Sequence, residues 1–348
     1  MIRDGFFMST ATNDYVMTID AGTGSGRALI FDLTAKQIGG AQREWTLPTL
    51  KEYPGSAVFD TRLAWDLICQ CIQEALDTTG ISAGQIKAIA PSSMREGMVL
   101  YDHEQHEIWA CPNIDARARD EAEQLVAEGT AQRIYDTGGD WVGIISAPRF
   151  RWLARHQRDI FEQMQHMSMI SDWVVARLSG QIVTDPSCGS SSGLFDLKSG
   201  NWSAELLTHL QLPETIFPPI HPPGTVVGEI TSEAAAQTSL HIGTPVIVGG
   251  ADTQLALLGT GGVKADRFTI VGGTFWQTTW LANHALIDPQ CRLRTLCHAL
   301  PALWMTEGIG FLNGLAMRWL RDTVSVSYTH LRAHETDSYL VCRLLLEK

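Results

Sequence analysis

Residues 245–277 read PVIVGGADTQLALLGTGGVKADRFTIVGGTFWQ. A β-branched apolar run ends at a lone carboxylate, Asp252, and a second run, after a polar turn, breaks on Gly272, Gly273 and Thr274. A strand-end carboxylate can take a proton from a hydroxyl, and a Gly-Gly-Thr turn can present amides to phosphate oxygens. Residues 15–33, YVMTIDAGTGSGRALIFDL, repeat the plan of strand, glycine turn and strand. Two such hairpins facing one another would enclose a triphosphate, which points to phosphoryl transfer.

The glycine turn at 22–26 excludes two other nucleotide loops. Its third glycine is one place early for the dinucleotide fingerprint, and RALIFDL after it is strand-like rather than helical. No Gly-Lys-Ser/Thr closes it as a Walker loop. By itself it reads more readily as an ordinary tight turn, and Asp252 alone as a helix N-cap. Asp20, ending the first strand, is a turn former or a Mg²⁺ ligand acting through water. The joint order of the three features within one chain raises the phosphate reading.

The chain around these hairpins alternates strands and helices, which predicts a mixed α/β fold. Asp60 is a plausible N-cap for a helix whose apolar positions Leu63, Leu67, Ile68, Ile72 and Leu76 recur at helical spacing before Gly80. Residues 86–90, 98–101, 108–110, 226–230 and 246–248 read as strands. Helices are expected from about 117 to 128, 148 to 155 and 169 to 178. The segment 180–195, with Asp185-Pro186-Ser187 and a Ser/Gly cluster, reads as turns, and the proline-rich 213–224 as a surface connection. Residues 311–322 suit an amphipathic helix; from about Val324 the text loses strand and cap logic and reads as foreign to the fold.

With 348 residues, two domains are expected. A hydrophobic share of 45% against 18% charged residues excludes a disordered chain. The net charge of −12, with 26 basic residues and no basic cluster, speaks against nucleic acid or anionic membrane as partner. No run reaches the ~18 apolar residues of a membrane span. Seven cysteines without paired CxxC spacing suggest free thiols and a cytoplasmic setting. The eleven histidines sit in scattered polar contexts and receive no catalytic or metal role.

Asp20-x-Gly22-Thr23-x-Ser25-x-Arg27, then Gly249-Gly250-x-Asp252, then Gly272-Gly273-Thr274 resemble, in this order, the FGGY carbohydrate kinases, relatives of actin, hexokinase and the heat-shock chaperone ATPases. The resemblance covers residues 15–322. Residues 93–97 (SMREG), 113–118 (NIDARA), 170–173 (ISDW) and 271–277 (VGGTFWQ), with Met317-Arg318-Trp319, bring it near the quorum-sensing branch of that family. It implies an actin-like, ribonuclease H-like ATPase fold with one complete domain (15–262), part of a second (263–323), a loose leader (1–14) and a non-native tail (324–348). It also implies ATP and Mg²⁺ as cofactors and a small sugar-like substrate. Asp252 would be the base; Asp20, through water, would hold the metal. Gly22, Thr23, Gly24, Ser25, Arg27, Gly272, Gly273 and Thr274 would hold phosphates, and Arg95, Glu96, Asn113 and Asp115 would line the substrate pocket. Arg95-Glu96 also reads as an ion pair at a strand end, and Trp276 as core or as pocket wall. The family's second domain continues beyond residue 322 with an adenosine-binding segment, so low ATP affinity is expected of this chain. A pentulose, hexulose or glycerol kinase and a non-catalytic relic are the remaining alternatives.

Overall fold

The computed structural model describes residues 13–143, 145–272 and 276–310, together with Ala316, Leu320 and Thr323. The leader expected over 1–14, apart from its last two residues, and the tail expected from Val324 lie outside them. So does most of the helix expected over 311–322.

The chain opens with an antiparallel meander of β1 (Tyr15–Ala21), β2 (Ser25–Asp32) and β3 (Gln37–Glu44). Alternation turns Met17, Ile19, Ala21, Ala28 and Ile30 to one buried face. α1 (Thr61–Thr79) crosses that face and leads to β4 (Ile86–Ser93), which lies parallel to β1. Asp60 caps α1 by accepting the Leu63 amide at 2.9 Å, and Gly80 closes it, as the sequence predicts. Ile68, Ile72 and Leu76 are buried as the stripe requires, but Leu63 points outward, 43% exposed.

A small sheet follows, built from β5 (Met98–Tyr101) with β6 (Glu107–Cys111) on one side. Gly129 divides the helix expected to run to 128 from another unforeseen in the sequence, giving α2 (Arg119–Ala127) and α3 (Thr130–Gly138). After α4 (Ser146–His156) and α5 (Arg158–Gln163), β7 (His166–Met169) completes the small sheet beside β5. The helix expected over 169–178 is α6 (Ile170–Ser179), which packs on β1 and β4. Trp173 of α6 meets Trp65 of α1 edge-on at 6.2 Å, so the two helices share one core.

The turn-rich segment holds a single short helix, α7 (Pro186–Ser190), and the hairpin of β8 (Phe195–Asp196) and β9 (Asn201–Trp202). α8 (Ala204–His209), β10 (Val226–Glu229) and α9 (Ser232–Thr238) then lead to β11 (Pro245–Ile247) and β12 (Gly250–Ala251). Both of the last strands pair with β4, on either side of Pro91. Proline has no N–H to give there, and Gly249 passes so close that a Cβ would stand 1.6 Å from the Pro91 carbonyl oxygen. The sheet order is thus β3-β2-β1-β4-β11-β10, with the meander at one end and the parallel strands at its centre.

α10 (Asp252–Gly259) leads into a second sheet of β13 (Phe268–Gly272), β14 (Trp276–Ala282), β15 (Arg294–Cys297) and β16 (Trp304–Gly310), in the order β13-β14-β16-β15. It docks on the end of α3 through main chain. The Thr295 amide donates to the Gly139 carbonyl at 2.9 Å, and a Cβ on Gly139, whose φ is 71°, would stand 2.4 Å from the Thr295 carbonyl oxygen. Trp276 is 42% exposed and so is not a core residue. No helix among the described residues is long and apolar enough to cross a membrane.

Candidate active site

Three strands end level with one another. Asp20 lies beside Ser92 and Ser92 beside Gly250; one residue on, Ala21, Ser93 and Ala251 align in the same way. Carboxyl ends of parallel strands are where open α/β sheets gather their ligands. Asp252 comes next after Ala251 and begins α10, with Ala251 as its cap residue. Its Oδ1 accepts the Thr253 amide at 2.5 Å. The Thr253 hydroxyl lies between that oxygen at 3.1 Å and Gln277 Oε1 at 3.2 Å.

Burial pushes the Asp252 carboxyl up to about 6; Arg95 pulls it down, and the Asp20 carboxylate pushes it up again. Asp20 is itself raised by burial, against the pull of Arg27, whose Nε is 3.4 Å away. Two acids at one sheet edge, one of which raises the other's proton affinity, form a donor set that suits a hard divalent cation. Asp20 would hold such an ion through water.

The first glycine turn meets the expected substrate side. Gly22 donates its amide to the Ser25 carbonyl at 2.9 Å, and Trp45 Nε1 donates to the Thr23 carbonyl at 3.0 Å. The Thr23 hydroxyl donates to Asn113 Oδ1 at 3.1 Å. Gly24 is exposed at the tip of the turn, and Gly272 ends β13; Gly273 and Thr274 lie outside the described residues.

Arg95 and Glu96 are both buried. They lie 3.7 Å apart as a buried ion pair, and each has a nearer partner on the second sheet. Arg95 Nη1 donates to Glu307 Oε1 at 2.8 Å, and Arg294 Nη2 donates to Glu96 Oε1 at 2.8 Å. Arg294 also binds the Asp140 carboxylate and lies 3.5 Å from Glu307 Oε1. Glu96 adopts φ 60°, a backbone region that non-glycine residues seldom enter.

The Asp115 carboxylate is buried and turned into its own loop. Its Oδ1 accepts the Ala57 amide at 2.8 Å, and Arg117 Nε reaches its two oxygens at 2.8 and 3.0 Å. Arg117 in turn lies 5.2 Å from the ring centres of Trp109 and Trp152. Asp115 therefore shapes the 112–117 loop that presents Asn113.

Sequence reasoning missed four charged residues that tie these segments together: Asp140, Arg149, Arg294 and Glu307. Arg149 reaches the carbonyls of Glu96, Pro112, Asn113 and Asp115, which fixes the segment at Glu96 to the 112–115 loop. It is one of three arginines in α4 and nothing local marks it out, although it is the one the helix buries. Arg294 and Glu307 have no sequence signal either, because their partners lie 198 and 212 residues away.

The model of the FGGY family of carbohydrate kinases, N-terminal domain, matches residues 15–259. The autoinducer-2 kinase of Yersinia enterocolitica is 42% identical over 319 residues, which is 91% of this chain and 60% of that protein. Its counterpart in Yersinia pseudotuberculosis is 42% identical over 317 residues, 90% and 60% of the two chains. Among solved structures, a xylulose kinase from Rhodospirillum rubrum superposes with a TM-score of 0.84 at 27% identity, covering 92% of this chain and 65% of that one. A ligand-bound xylulose kinase from Lactobacillus acidophilus gives 0.83 at 23% identity, covering 89% and 62%. This chain thus spans about 60% of the length of the curated relatives it matches. The fold is the actin-like, ribonuclease H-like one, with one domain and part of a second, and the chain belongs to the FGGY family of carbohydrate kinases.

Proposed function

We propose that the chain carries the acceptor side and part of the phosphate side of an ATP-dependent kinase for a hydroxyl of a small sugar-like molecule. The observation that carries this reading is the level ending of β1, β4 and β12, which sets Asp20 and Asp252 at one edge with Arg95 and Glu96 behind them. Asp252, raised to about 6, is ionised near neutral pH yet basic enough to take the acceptor's proton. Arg95, Glu96 and Asn113 would orient the acceptor, and Asp115 would hold their loop. Amides and hydroxyls around 22–25, with Arg27, Gly272, Gly273 and Thr274, would hold the phosphates. Bound Mg²⁺ supplies charge neutralisation on the transferring group, with Asp20 as its outer ligand. Positioning and charge then account for most of the rate in such a loose transition state.

The acceptor we favour is 4,5-dihydroxy-2,3-pentanedione, the open form of the autoinducer-2 precursor. Identity to the two autoinducer-2 kinases, 42%, supports this over a pentulose, for which the Rhodospirillum enzyme offers 27%. We take 15–262 and 263–323 as the two domain portions, and a cytoplasmic setting, in keeping with the six described cysteines, all unbridged.

A coupled ADP-release assay with ATP–Mg²⁺ tests the reading on this chain and on one extended to the relatives' length. The dione should turn over at least about tenfold better, in kcat/KM, than xylulose, a hexulose or glycerol. Equal or better use of a pentulose sinks the acceptor assignment, and no turnover by the extended chain sinks the kinase. Weak ATP binding, and with it little turnover, by the 348 residues alone is a further proposal, overturned by low-micromolar ATP–Mg²⁺ affinity in titration calorimetry.

A further inference from the structure

We propose that Ser187, backed by Asp185, is a positioning residue for the Asp252 base, and that the serine-rich segment at 187–191 is the block on which the site's parts are mounted. This rests on the reading of Asp252 as the base.

β12 is only two residues long, and both pair with β4. Its far edge would leave the Ala251 amide bare if nothing met it, and a buried bare amide is costly. Ser187 takes the place of the absent strand: Ala251 N donates to Ser187 Oγ at 3.0 Å, and that hydroxyl donates to Asp185 Oδ1 at 2.5 Å. The directions agree, so amide, hydroxyl and carboxylate form one polarised chain ending on the peptide that carries Asp252. The fit is close, since a Cβ on Gly250 would stand 2.8 Å from Ser187 Oγ. Behind it, Asp185 and Asp172 are buried together, which raises the proton affinity of both.

The neighbouring serines do the same for other parts. Ser190 Oγ accepts the Cys297 amide of the second sheet at 3.0 Å. Ser191 Oγ accepts the Glu96 amide at 3.4 Å. One turn of chain therefore meets the base, the acceptor pair and the second sheet by main-chain amides. Ser192 is the built-in control: it is equally buried, but among the described residues its hydroxyl reaches only Gly189 O at 2.6 Å and Leu194 N at 3.1 Å, within its own turn.

The experiment compares Ser187→Ala with Ser192→Ala, and uses Ser187→Cys, close in volume and a poor acceptor, should the alanine variant fail to fold. Hydrogen exchange at 251–253 should speed up at least about tenfold in the Ser187 variants and not in Ser192→Ala. In the extended chain, kcat should fall at least about tenfold with acceptor KM within about twofold, and Ser187→Thr should restore part of it. Unchanged exchange at 251–253, or equal kcat losses in the Ser187 and Ser192 variants, overturns the proposal. If the wild type shows no turnover, the kinase reading falls and the exchange comparison alone decides whether Ser187 holds the strand end.

Discussion

Glu307, on the third strand of the second sheet, receives a hydrogen bond from Arg95 at 2.8 Å, although 212 residues separate them. Both are buried, and Arg294 lies 3.5 Å from the same Glu307 oxygen. The Arg95–Glu96 segment proposed to face the acceptor is therefore wired to the second sheet by charge. Glu307→Gln leaves two guanidinium groups short of a counter-charge. Breaking a buried pair in this way costs about 3–5 kcal/mol. The acceptor KM should rise at least about tenfold, and the melting temperature should drop by several degrees; calorimetry and steady-state kinetics measure the two.

Asp252→Asn keeps the shape and removes the base. Turnover in the extended chain should fall by about 10²–10⁴, with acceptor affinity nearly unchanged. Calorimetric acceptor binding beside the kinetics checks this; full turnover would remove Asp252 from the mechanism.

The acid limb of the rate profile follows from the same group. As the proposed base, Asp252 would act only when ionised, and its carboxyl is raised to about 6, so kcat/KM for the acceptor should be flat above about pH 7 and fall below about 6. Arg95 pulls that value down, so Arg95→Met should move the limb to higher pH. A pH–rate series on both proteins measures the displacement.

Asp20→Asn should raise the Mg²⁺ concentration needed for half-maximal turnover, because an outer carboxylate is lost. The Thr23–Asn113 contact in the turn does not involve Asp20, so acceptor affinity should hold. A magnesium titration at saturating ATP reads this directly, and chelation should abolish turnover in both proteins.

Asp172 and Asp185 predict a stability trend opposite to the usual one. Their folded-state proton affinities lie above those of free carboxyls, because burial disfavours the charge. The folded chain then binds protons that the unfolded chain has released. Their contribution is full below the ordinary carboxylate range and is lost as pH rises through the raised values. Asp172→Asn should flatten that slope in a series of urea unfolding curves taken from acid to neutral pH.

What could be read beforehand was local. The cap at Asp60, the stop at Gly80 and the strand–turn–strand plan around Gly22 depend on neighbours in the chain, and each shows in a few letters. β3 was not legible because QIGGAQRE is polar, glycine-rich and at the sheet edge, where no apolar alternation is required. β4 was expected to stop at Ala90, since Pro91 argues against a central strand; two strand pieces passing on either side of it make the longer strand possible. At the site, Asp20, Asp252, Arg95 and Glu96 are polar residues at strand ends, a recognisable position. Their supports, Glu307, Arg294, Asp140 and Arg149, act through contacts between distant segments, and no local pattern announces them. Asp115 enters as a pocket residue through the family resemblance alone; in the structure its carboxylate accepts from the Ala57 amide and Arg117 Nε.

The seam at Gly139 gives the wiring of the pocket an unusual dependence. Thr295 is welded there by its backbone, one residue from Arg294 and one from Asp140 on the facing segment. Any side chain grown at Gly139 would act as a wedge, lifting the whole strand and unplugging Arg294 from Glu96 without touching an ionic group. The charge circuit behind the acceptor pocket is thus gauged by a missing methyl.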